Sequence, residues 1–468
     1  MRRNTRRSTV IHPGAGQTRR LAGYVTGLRY KDLPDEVVEL AKICVLDALG
    51  SACLGATMRW GEIAIDYVEA IGAKAESTVI GARTKVDAGN AALANGTMGH
   101  AFETDDVLIC ALHHPGIVVV PAALAMAERE DSSGREFIAA VVAGYEVMNR
   151  VGKAIGTESH VMRGFFPTST NGTFGAAAAA GKLLHLSEAR MTDALGIAGS
   201  QSGGLFEGIK EGVMTKRFGA GRAAQSGVMA AELAKLGFTG SATVLEGAWG
   251  YLKAFSDKTD PARLTEKLGK TFNIMETTFK PYPCCKGLHA AIDGVLHLKR
   301  EHDIDPAQVA EVIVGAYEKL VRMHDIYEPA TAMAAQFSIP YVVATSLMRG
   351  VPDVAAFSDK SIRDKKVLAL ARKVRLVVDR EVARHFPAHE PSRVTIKLKN
   401  GRSYSKTVIC SKGTPENPMS KKEIEEKFSA FASMVIPEKR VAAVVKRIWA
   451  LDRVKSMREL ASLLRAGG

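Results

Sequence analysis

Residues 32–50 read DLPDEVVELAKICVLDALG, and this stretch sets the helical character of the first half of the chain. Pro34 suits the first turn of a helix, and acidic residues follow it directly. Apolar side chains then recur at helical spacing, at Val37, Leu40, Ala41, Cys44 and Ala48. The spacing therefore predicts an amphipathic helix that buries one face.

Helical patterns continue from this stretch to about residue 275. The clearest are GREFIAAVVAGYEVMNRVGKAIG (134–156), TFGAAAAAGKLLHLS (173–187) and AAQSGVMAAELAKLGF (223–238). Gly and Ala are plentiful and aromatic residues make up only 6% of the chain, which favours closely packed helices over a β-sandwich. We predict a large helical domain whose first part covers residues 21–275.

The pattern changes near residue 276. Short β-branched runs appear at 309–317 and 374–379, and two alternating runs at 392–408 flank Asn400-Gly401. That pair of residues is typical of a two-residue hairpin turn. Helical stretches lie between these runs, so residues 276–410 are predicted to form a smaller α+β domain.

Helix returns in residues 411–468. Ser420 and Glu423 match a capping box, and an apolar stripe follows them. We expect these last helices to pack back on the first domain. The predicted fold class is mainly α with an α+β insertion: a large all-helical domain built from both chain ends, plus a smaller α+β lid domain.

Composition narrows the classes of function. Of the 468 residues, 46% are apolar and 24% are charged, as in a globular protein with a full core. The net charge of the chain is +13, and residues 1–20 contribute six arginines and no acid to it. We predict a disordered tail there. A transit segment or nucleic-acid binding through this tail is the alternative, although no basic helix interleaved with aromatics supports nucleic-acid binding.

Cysteine usage and hydropathy bear on the compartment. The six cysteines form no CxxC pair, which is typical of a reduced, cytoplasmic protein. No apolar run approaches the roughly 18 residues that a membrane span needs. We therefore expect a cytoplasmic protein with neither a membrane nor a nucleic acid as partner.

The stretch FETDDVLICALHHPG (102–116) is the first candidate site. Adjacent residues point in different directions, so Asp105/Asp106 and His113/His114 each offer about one inward group. No HExxH or paired Cys/His spacing is present, so no metal is predicted. An acid/base pair and plain helix capping both remain open for this stretch.

A second candidate lies at MTKRFGAGRAAQSG (214–227), where Lys216, Arg217 and Arg222 surround two glycines ahead of a helix. Glycines and a helix N-terminus favour an anion. A Gly-rich loop with a solvated basic face is the alternative.

A third candidate is FKPYPCCKGLHAAIDG (279–294), in which Lys280, Cys285, Lys286 and His289 crowd a turn before a helix. The lysines suit a carboxylate, while a Cys/His pair would suit nucleophilic catalysis. A fourth stretch, AAQFSIPYVVATSLMRG (334–350), carries Tyr341 at what is otherwise a helix entry.

Taken in order, these stretches resemble the MmgE/PrpD family. The similarity rests on NGTMGHAFETDD, HHPGIVVVPAALA, GFFPTSTNGTFGAAAAAGKLLHLS, TKRFGAGRAAQSGVMAAELAKLGFTG, FKPYPCCKGLHAAIDG and FSIPYVVA, and it extends over nearly the whole chain. The resemblance implies a homodimer with an active site in a cleft between the two domains, small di- or tricarboxylate substrates and no cofactor.

The resemblance also implies roles for particular residues. Catalytic roles fall on His114, Asp105, Asp106, Lys216 and Lys280. Substrate-binding roles fall on Glu103, Cys285, Lys286, His289, Tyr341 and Arg217. With these roles the chain would be a cofactor-independent lyase or isomerase that abstracts a proton next to a carboxylate, in the manner of 2-methylcitrate dehydratase.

The chain departs from the family pattern at four positions. Glu103, Val107, Phe166 and Cys285 stand where decarboxylase-like members carry Asp, Thr, His and His. These departures count against cis-aconitate decarboxylation and favour a different carboxylate substrate or a degenerate site. An epimerase or decarboxylase of a related carboxylate is kept as an alternative. A non-catalytic carboxylate-binding protein is kept as well.

Overall fold

The computed structural model describes residues 16–211 and 213–467, and the described chain forms two compact units. The first unit takes the chain up to Ala101, then Asp105–Thr277, and then the residues from Ser420 onwards. The second unit takes Phe102–Thr104 and Thr278–Met419. The sequence had placed the borders after residues 275 and 410.

Helices dominate the described chain, and their bounds follow in chain order. They are α1 (Gln17–Gly27), α2 (Asp35–Ala56), α3 (Arg59–Ile71), α4 (Ala88–Gly99), α5 (Gly116–Arg129), α6 (Gly134–Ala154), α7 (Thr157–Met162), α8 (Pro167–Leu183), α9 (Glu188–Gln201), α10 (Glu207–Lys210), α11 (Thr215–Leu236), α12 (Tyr251–Phe255), α13 (His289–Glu301), α14 (Glu318–Met323), α15 (Ala332–Gln336), α16 (Ile339–Arg349), α17 (Lys365–Ala371), α18 (Arg380–Ala383), α19 (Lys421–Ala432), α20 (Glu438–Trp449) and α21 (Met457–Leu463). The strands are β1 (Ser77–Thr78), β2 (Lys85–Val86), β3 (Val309–Ala316), β4 (Val374–Val378), β5 (Ser392–Leu398) and β6 (Ser403–Val408). Within the described chain, no helix combines the length and the apolar character that a membrane crossing requires.

The start of α1 corrects the predicted extent of the basic tail. Residues 1–15 lie outside the described residues, but α1 already begins at Gln17, so Arg19 and Arg20 are helical. Thr18 is buried and its hydroxyl donates to Glu246 at 2.5 Å, and Leu21 is fully buried in the same helix. These contacts tie the segment to the first unit.

The core of the first unit is built from α4, α5, α6, α8 and α11, which pack on one another. Small residues allow α4 and α11 to approach closely. A Cβ added at Gly221 would lie 2.2 Å from the Leu93 carbonyl oxygen, and one added at Gly96 would lie 2.8 Å from Gly221 Cα. Because α4 ends and α11 begins on the same side of this crossing, their ends supply residues to one place.

The last helices complete the first unit. Ser420 and Glu423 form the predicted capping box at the start of α19, which packs on α2, while α21 packs on α5. Lys427 Nζ lies 2.6 Å from a carboxylate oxygen of the buried Asp47. The first unit is therefore made from both parts of the chain that flank the second.

The second unit contains a four-stranded sheet in the order β4-β3-β5-β6. Strands β3 and β4 are parallel, whereas β3–β5 and β5–β6 are antiparallel. Helix α13 packs on β5 and β6, and α16 packs on α13 and α17. The buried residues of β5, Ser392, Val394 and Ile396, alternate with more exposed ones, as expected for a sheet covered on one face.

The β5–β6 hairpin is present where it was predicted, but its turn is longer. Lys397 pairs with Ser403, Leu398 N–H donates to the Arg402 carbonyl at 2.8 Å, and Gly401 has φ +85°. The turn therefore has three residues, 399–401, and only the glycine needs positive φ. A type I turn followed by a left-handed glycine gives this geometry.

Candidate acid/base site

The loop after α4 carries the acids and histidines of the first candidate stretch. His100 directly follows the last residue of α4. Farther along, Leu108 N–H donates to the His113 carbonyl at 2.9 Å, and Leu112 adopts a left-handed conformation with φ +47°. This bridge folds the loop back, so the two histidines at 113–114 return to the acids at 105–106.

Asp105 lies between two imidazole rings. Its Oδ2 is 2.8 Å from His100 Nδ1 and 2.9 Å from His114 Nδ1. The backbone carbonyl of Asp106 also accepts from His114 Nδ1, at 2.7 Å. Because carboxylate and carbonyl oxygens accept, both rings carry their proton on Nδ1. His114 is thus left with its basic lone pair on Nε2.

His114 is also the more accessible of the two rings. Its side chain is 11% exposed, whereas those of His100 and Asp105 are 0% and 1% exposed. An orienting carboxylate on one ring nitrogen and a reachable lone pair on the other are what a general base needs.

His100 is a part of the site that sequence reasoning missed. Burial, together with the nearby charge of Lys216 and against the opposing effect of Asp105, lowers the pKa of His100 to about 3, so the ring is neutral at physiological pH. Its position after a glycine at a helix end, five residues before Asp105, was the available signal. Phe166, one of the positions at which the resemblance implied a departure from the family pattern, stacks on His100 with ring centroids 5.8 Å apart.

Lys216 comes from the first turn of α11 and is buried. The crossing of α4 and α11 brings it close enough to His100 for its charge to affect that ring. The neighbouring Arg217 is buried too, but its guanidinium lies 4.5 Å above the Trp60 ring and donates to the Val213 carbonyl. Of Lys216 and Arg217, Lys216 is therefore the one associated with the histidines.

Asp106 makes different contacts from Asp105. Its Oδ1 accepts from Gly116 N–H at 2.9 Å, and its Oδ2 accepts from the Tyr145 hydroxyl at 2.7 Å. Burial, together with the negative charge of Asp47, raises the pKa of Asp106 to about 8. These contacts at the start of α5 favour the capping interpretation for Asp106 and leave Asp105 as the partner of His114.

His113 is held inside the first unit. Its Nε2 donates to Asn149 Oδ1 at 3.0 Å, and its Nδ1 accepts from Asn171 Nδ2 at 3.2 Å. Burial lowers the pKa of His113 to about 3. Both ring nitrogens are thus occupied in packing the neutral ring, and of the adjacent histidines His114 is the candidate acid/base group.

His100, Asp105 and His114 each have an atom that could bind a metal ion, and these atoms lie within 4.8 Å of one another, so a metal ion has to be considered. Tetrahedral N and O ligands at zinc bond lengths would be about 3.4 Å apart. The two observed N–O separations, 2.8 and 2.9 Å, are hydrogen-bond lengths instead. This geometry describes a hydrogen-bonded network better than a metal centre.

Two further predicted residues meet in the second unit. Lys280 Nζ lies 3.0 Å from Glu103 Oε2, and both side chains are almost fully buried. Gln336 Nε2 donates to the Phe102 carbonyl at 2.9 Å, which fixes the backbone beside Glu103. The ion pair matches the charge of Lys280. The catalytic role predicted for Lys280 and the substrate-binding role predicted for Glu103 both remain predictions.

The CCK turn places its residues in separate environments. Burial raises the pKa of Cys285 to about 12, which keeps the thiol protonated. Lys286 Nζ donates to Ser411 Oγ, and burial lowers the pKa of this amine. His289 Nε2 donates to the Cys284 carbonyl at 3.3 Å. A protonated thiol and this histidine contact do not favour nucleophilic catalysis by a Cys/His pair.

Tyr341 lies in the interior of the second unit. Its backbone N–H is capped by Ser338 Oγ at 3.0 Å, and its hydroxyl donates to the Ala356 carbonyl. The structure therefore shows the helix entry that was the alternative for this stretch.

Comparison with known proteins agrees with the resemblance of the motifs. The chain matches the MmgE/PrpD N-terminal domain over residues 19–264 and the MmgE/PrpD C-terminal domain over residues 282–451, so it belongs to the MmgE/PrpD family. Cis-aconitate decarboxylase-like protein oryM of Aspergillus oryzae is 29% identical over 97% of this chain and 98% of its own length. The cis-aconitate decarboxylases of Aspergillus terreus and Homo sapiens are 29% and 28% identical, over 98% and 96% of this chain and 98% and 94% of their own lengths.

Proposed function

We propose that this protein is a lyase that acts on a small di- or tricarboxylate and transfers a proton at the carbon next to a carboxylate. The observation that carries the proposal is the orientation of His114, whose Nδ1 is held by Asp105 Oδ2 at 2.9 Å so that Nε2 is the basic atom. Membership of the MmgE/PrpD family and the names of the relatives support the substrate class.

Each residue contributes a separate effect. His114 Nε2 takes a proton from carbon or returns one to it, and Asp105 stabilises the imidazolium that forms meanwhile. The buried ammonium of Lys216 binds a substrate carboxylate and stabilises the negative charge that grows on it as the proton leaves. A well-placed acid/base group contributes about 10²–10⁴-fold to the rate.

Two reactions fit this proton transfer. The similarity to cis-aconitate decarboxylases favours decarboxylation of a cis-aconitate-like substrate, in which a carbon that loses CO₂ is protonated. Phe166 and Cys285 depart from the pattern that the resemblance implies for decarboxylase-like members, so elimination from a 2-methylcitrate-like substrate is kept as the second candidate. The homodimer that the resemblance implies is tested by light scattering on the full chain.

The proposal is tested by incubating the protein in D₂O with cis-aconitate, 2-methylcitrate, citrate and an iminodisuccinate-type substrate, followed by NMR. We expect product, or deuterium at the carbon next to a carboxylate, with at least one of them. His114→Gln should reduce this rate at least about a hundredfold. His185→Asn, which changes a histidine that is 73% exposed, is the matched control and should keep the rate.

Two outcomes would contradict the proposal. Neither product nor exchange with any of the four compounds would remove the lyase assignment and leave the non-catalytic alternative. Turnover that is unchanged in His114→Gln would remove this histidine from the mechanism.

A further inference from the structure

The open end of the β5–β6 hairpin brings a histidine and a cysteine together. Ser392 and Val408 form its last strand pair. His389 comes three residues before that pair and Cys410 two residues after it, so the strand register itself places them side by side. Cys410 Sγ lies 3.6 Å from His389 Nδ1.

A tight loop returns a carboxylate to the same place. Gly413 N–H donates to the Asn417 carbonyl at 2.8 Å, and Asn417 N–H donates to the Thr414 carbonyl at 3.1 Å. Asn417 Nδ2 also donates to the Cys410 carbonyl at 3.3 Å. As a result Glu416 lies next to Cys410, and the donor atoms of His389, Cys410 and Glu416 are all within 4.8 Å of one another.

The separation of the cysteine and histidine atoms is compatible with two ligands of one metal ion, although a hydrogen bond to sulfur has the same length. Zinc bonds of about 2.3 Å to sulfur and about 2.0–2.1 Å to nitrogen, in tetrahedral geometry, separate the two ligands by about 3.6 Å. The observed Sγ–Nδ1 distance is 3.6 Å. The acid/base loop differs in this respect, because its N–O separations of 2.8 and 2.9 Å are hydrogen-bond lengths.

The kinds of ligand and their accessibility point in the same direction. Thiolate, imidazole and carboxylate are the three ligand types that zinc uses in proteins. His389 and Cys410 are half-buried and Glu416 is exposed, so an ion can reach the group from solvent. Three protein ligands leave one tetrahedral position for water.

We propose that His389, Cys410 and Glu416 bind one zinc ion, which closes the open end of the β5–β6 hairpin. On binding, the Cys410 thiol releases its proton to solvent and its sulfur forms the bond to the metal. The ion then joins the segment before β5 to the segment after β6, and it stabilises the folded state because the unfolded chain holds no such preformed site.

The test uses the full chain, stripped of metals with a chelator and titrated with Zn²⁺ by calorimetry and with Co²⁺ by absorption spectroscopy. We expect one equivalent of Zn²⁺ to bind and to raise the thermal midpoint. Co²⁺ should give a thiolate-to-cobalt charge-transfer band. Cys410→Ser should abolish that band, and Glu416→Gln, a change at an exposed position, should weaken Zn²⁺ binding at least about tenfold.

Matched controls separate this site from others in the chain. Cys110→Ser changes an exposed cysteine and His385→Ala an exposed histidine, and both should bind Zn²⁺ as the parent does. His114→Gln should also retain the site, which separates this test from that of the proposed activity. A cobalt spectrum without the charge-transfer band, or equal affinity in the parent and Cys410→Ser, would overturn the proposal.

Discussion

A single carboxylate oxygen of Asp105 orients two imidazole rings, and through its hydrogen bonds it determines which nitrogen of His114 is basic. The adjacent pairs at 105–106 and 113–114 could be predicted as candidates from spacing alone. Which member of each pair faces the site depends on the left-handed turn at Leu112 and the bridge from Leu108 to His113. No local pattern in the sequence encodes that turn.

Replacing Asp105 should therefore impair the chemistry more than the binding. In Asp105→Asn an amide still reaches the rings, but the negative charge that stabilises the His114 imidazolium is lost. We expect kcat to fall about 10²–10⁴-fold with a smaller change in KM. Asp257→Asn, at an aspartate that is 73% exposed, is the control. Equal loss in both variants would contradict the role of Asp105.

Because Asp106 is buried, its carboxyl should make the free energy of unfolding depend on pH. In the folded protein the Asp106 carboxyl has a pKa of about 8, whereas in the unfolded chain its pKa is near 3.8. Between these values the folded state binds the extra proton, so this residue lowers the free energy of unfolding by about 1.4 kcal/mol for each pH unit of increase. The effect is complete above pH 8 and absent below pH 4.

Asp106→Asn removes that titration and keeps groups that can contact Gly116 and Tyr145. Relative to the parent, the variant should gain about 1–2 kcal/mol in free energy of unfolding between pH 6.5 and 8. Urea unfolding at several pH values measures this, with Asp257→Asn as the matched aspartate. Parallel pH profiles for the parent and Asp106→Asn would show that the buried carboxyl does not titrate in this range.

Among the elements, the helices and the hairpin were predictable because their signals are local. The capping box at Ser420, the strand at 309–316 and the β5–β6 hairpin all follow from patterns of a few residues. The third turn residue, Lys399, was not predictable, because Asn-Gly suits two kinds of turn. The approach of α4 to α11, which brings Lys216 near His100, depends on distant glycines and was also missed.

The variant Gly221→Ala should disturb the crossing of α4 and α11. A Cβ there would meet backbone and hydroxyl atoms of Leu93 and Thr97 at 2.2 Å, so the helices must move apart. Overpacking of this kind costs about 1–3 kcal/mol in free energy of unfolding, and activity should fall because Lys216 and His100 separate. Gly203→Ala is the control, since an added Cβ there has no atom within 4 Å. Equal free energies of unfolding for Gly221→Ala and Gly203→Ala would contradict this packing.

At the scale of the whole molecule, the two ends of the chain form one unit. Helix α19 covers α2, and Lys427 places its ammonium 2.6 Å from the buried carboxylate of Asp47. Lys427→Met would take this cation away from a buried acid. Loss of one partner of a buried ion pair costs about 3–5 kcal/mol in free energy of unfolding.

Chemical unfolding of Lys427→Met tests that value. The double variant Asp47→Asn/Lys427→Met should recover part of the loss, because the buried charge is then absent as well. Lys422→Met, on the same helix but with its side chain 83% exposed, should unfold like the parent. A cost below 0.5 kcal/mol, as for surface substitutions, would show that the pair contributes little.

The return of α19 to α2 also has a consequence for synthesis. The ribosome completes α2 at Ala56 and reaches the end of α19, at Ala432, 376 residues later. At roughly 5–20 residues per second that interval is about 20–75 s. During this time the face of α2 that α19 will cover, with Asp47 on it, has no native cover. The second unit, which lies between in the chain, can finish its sheet first. We therefore expect nascent chains that stop before residue 420 to be the forms that chaperones bind and that aggregate.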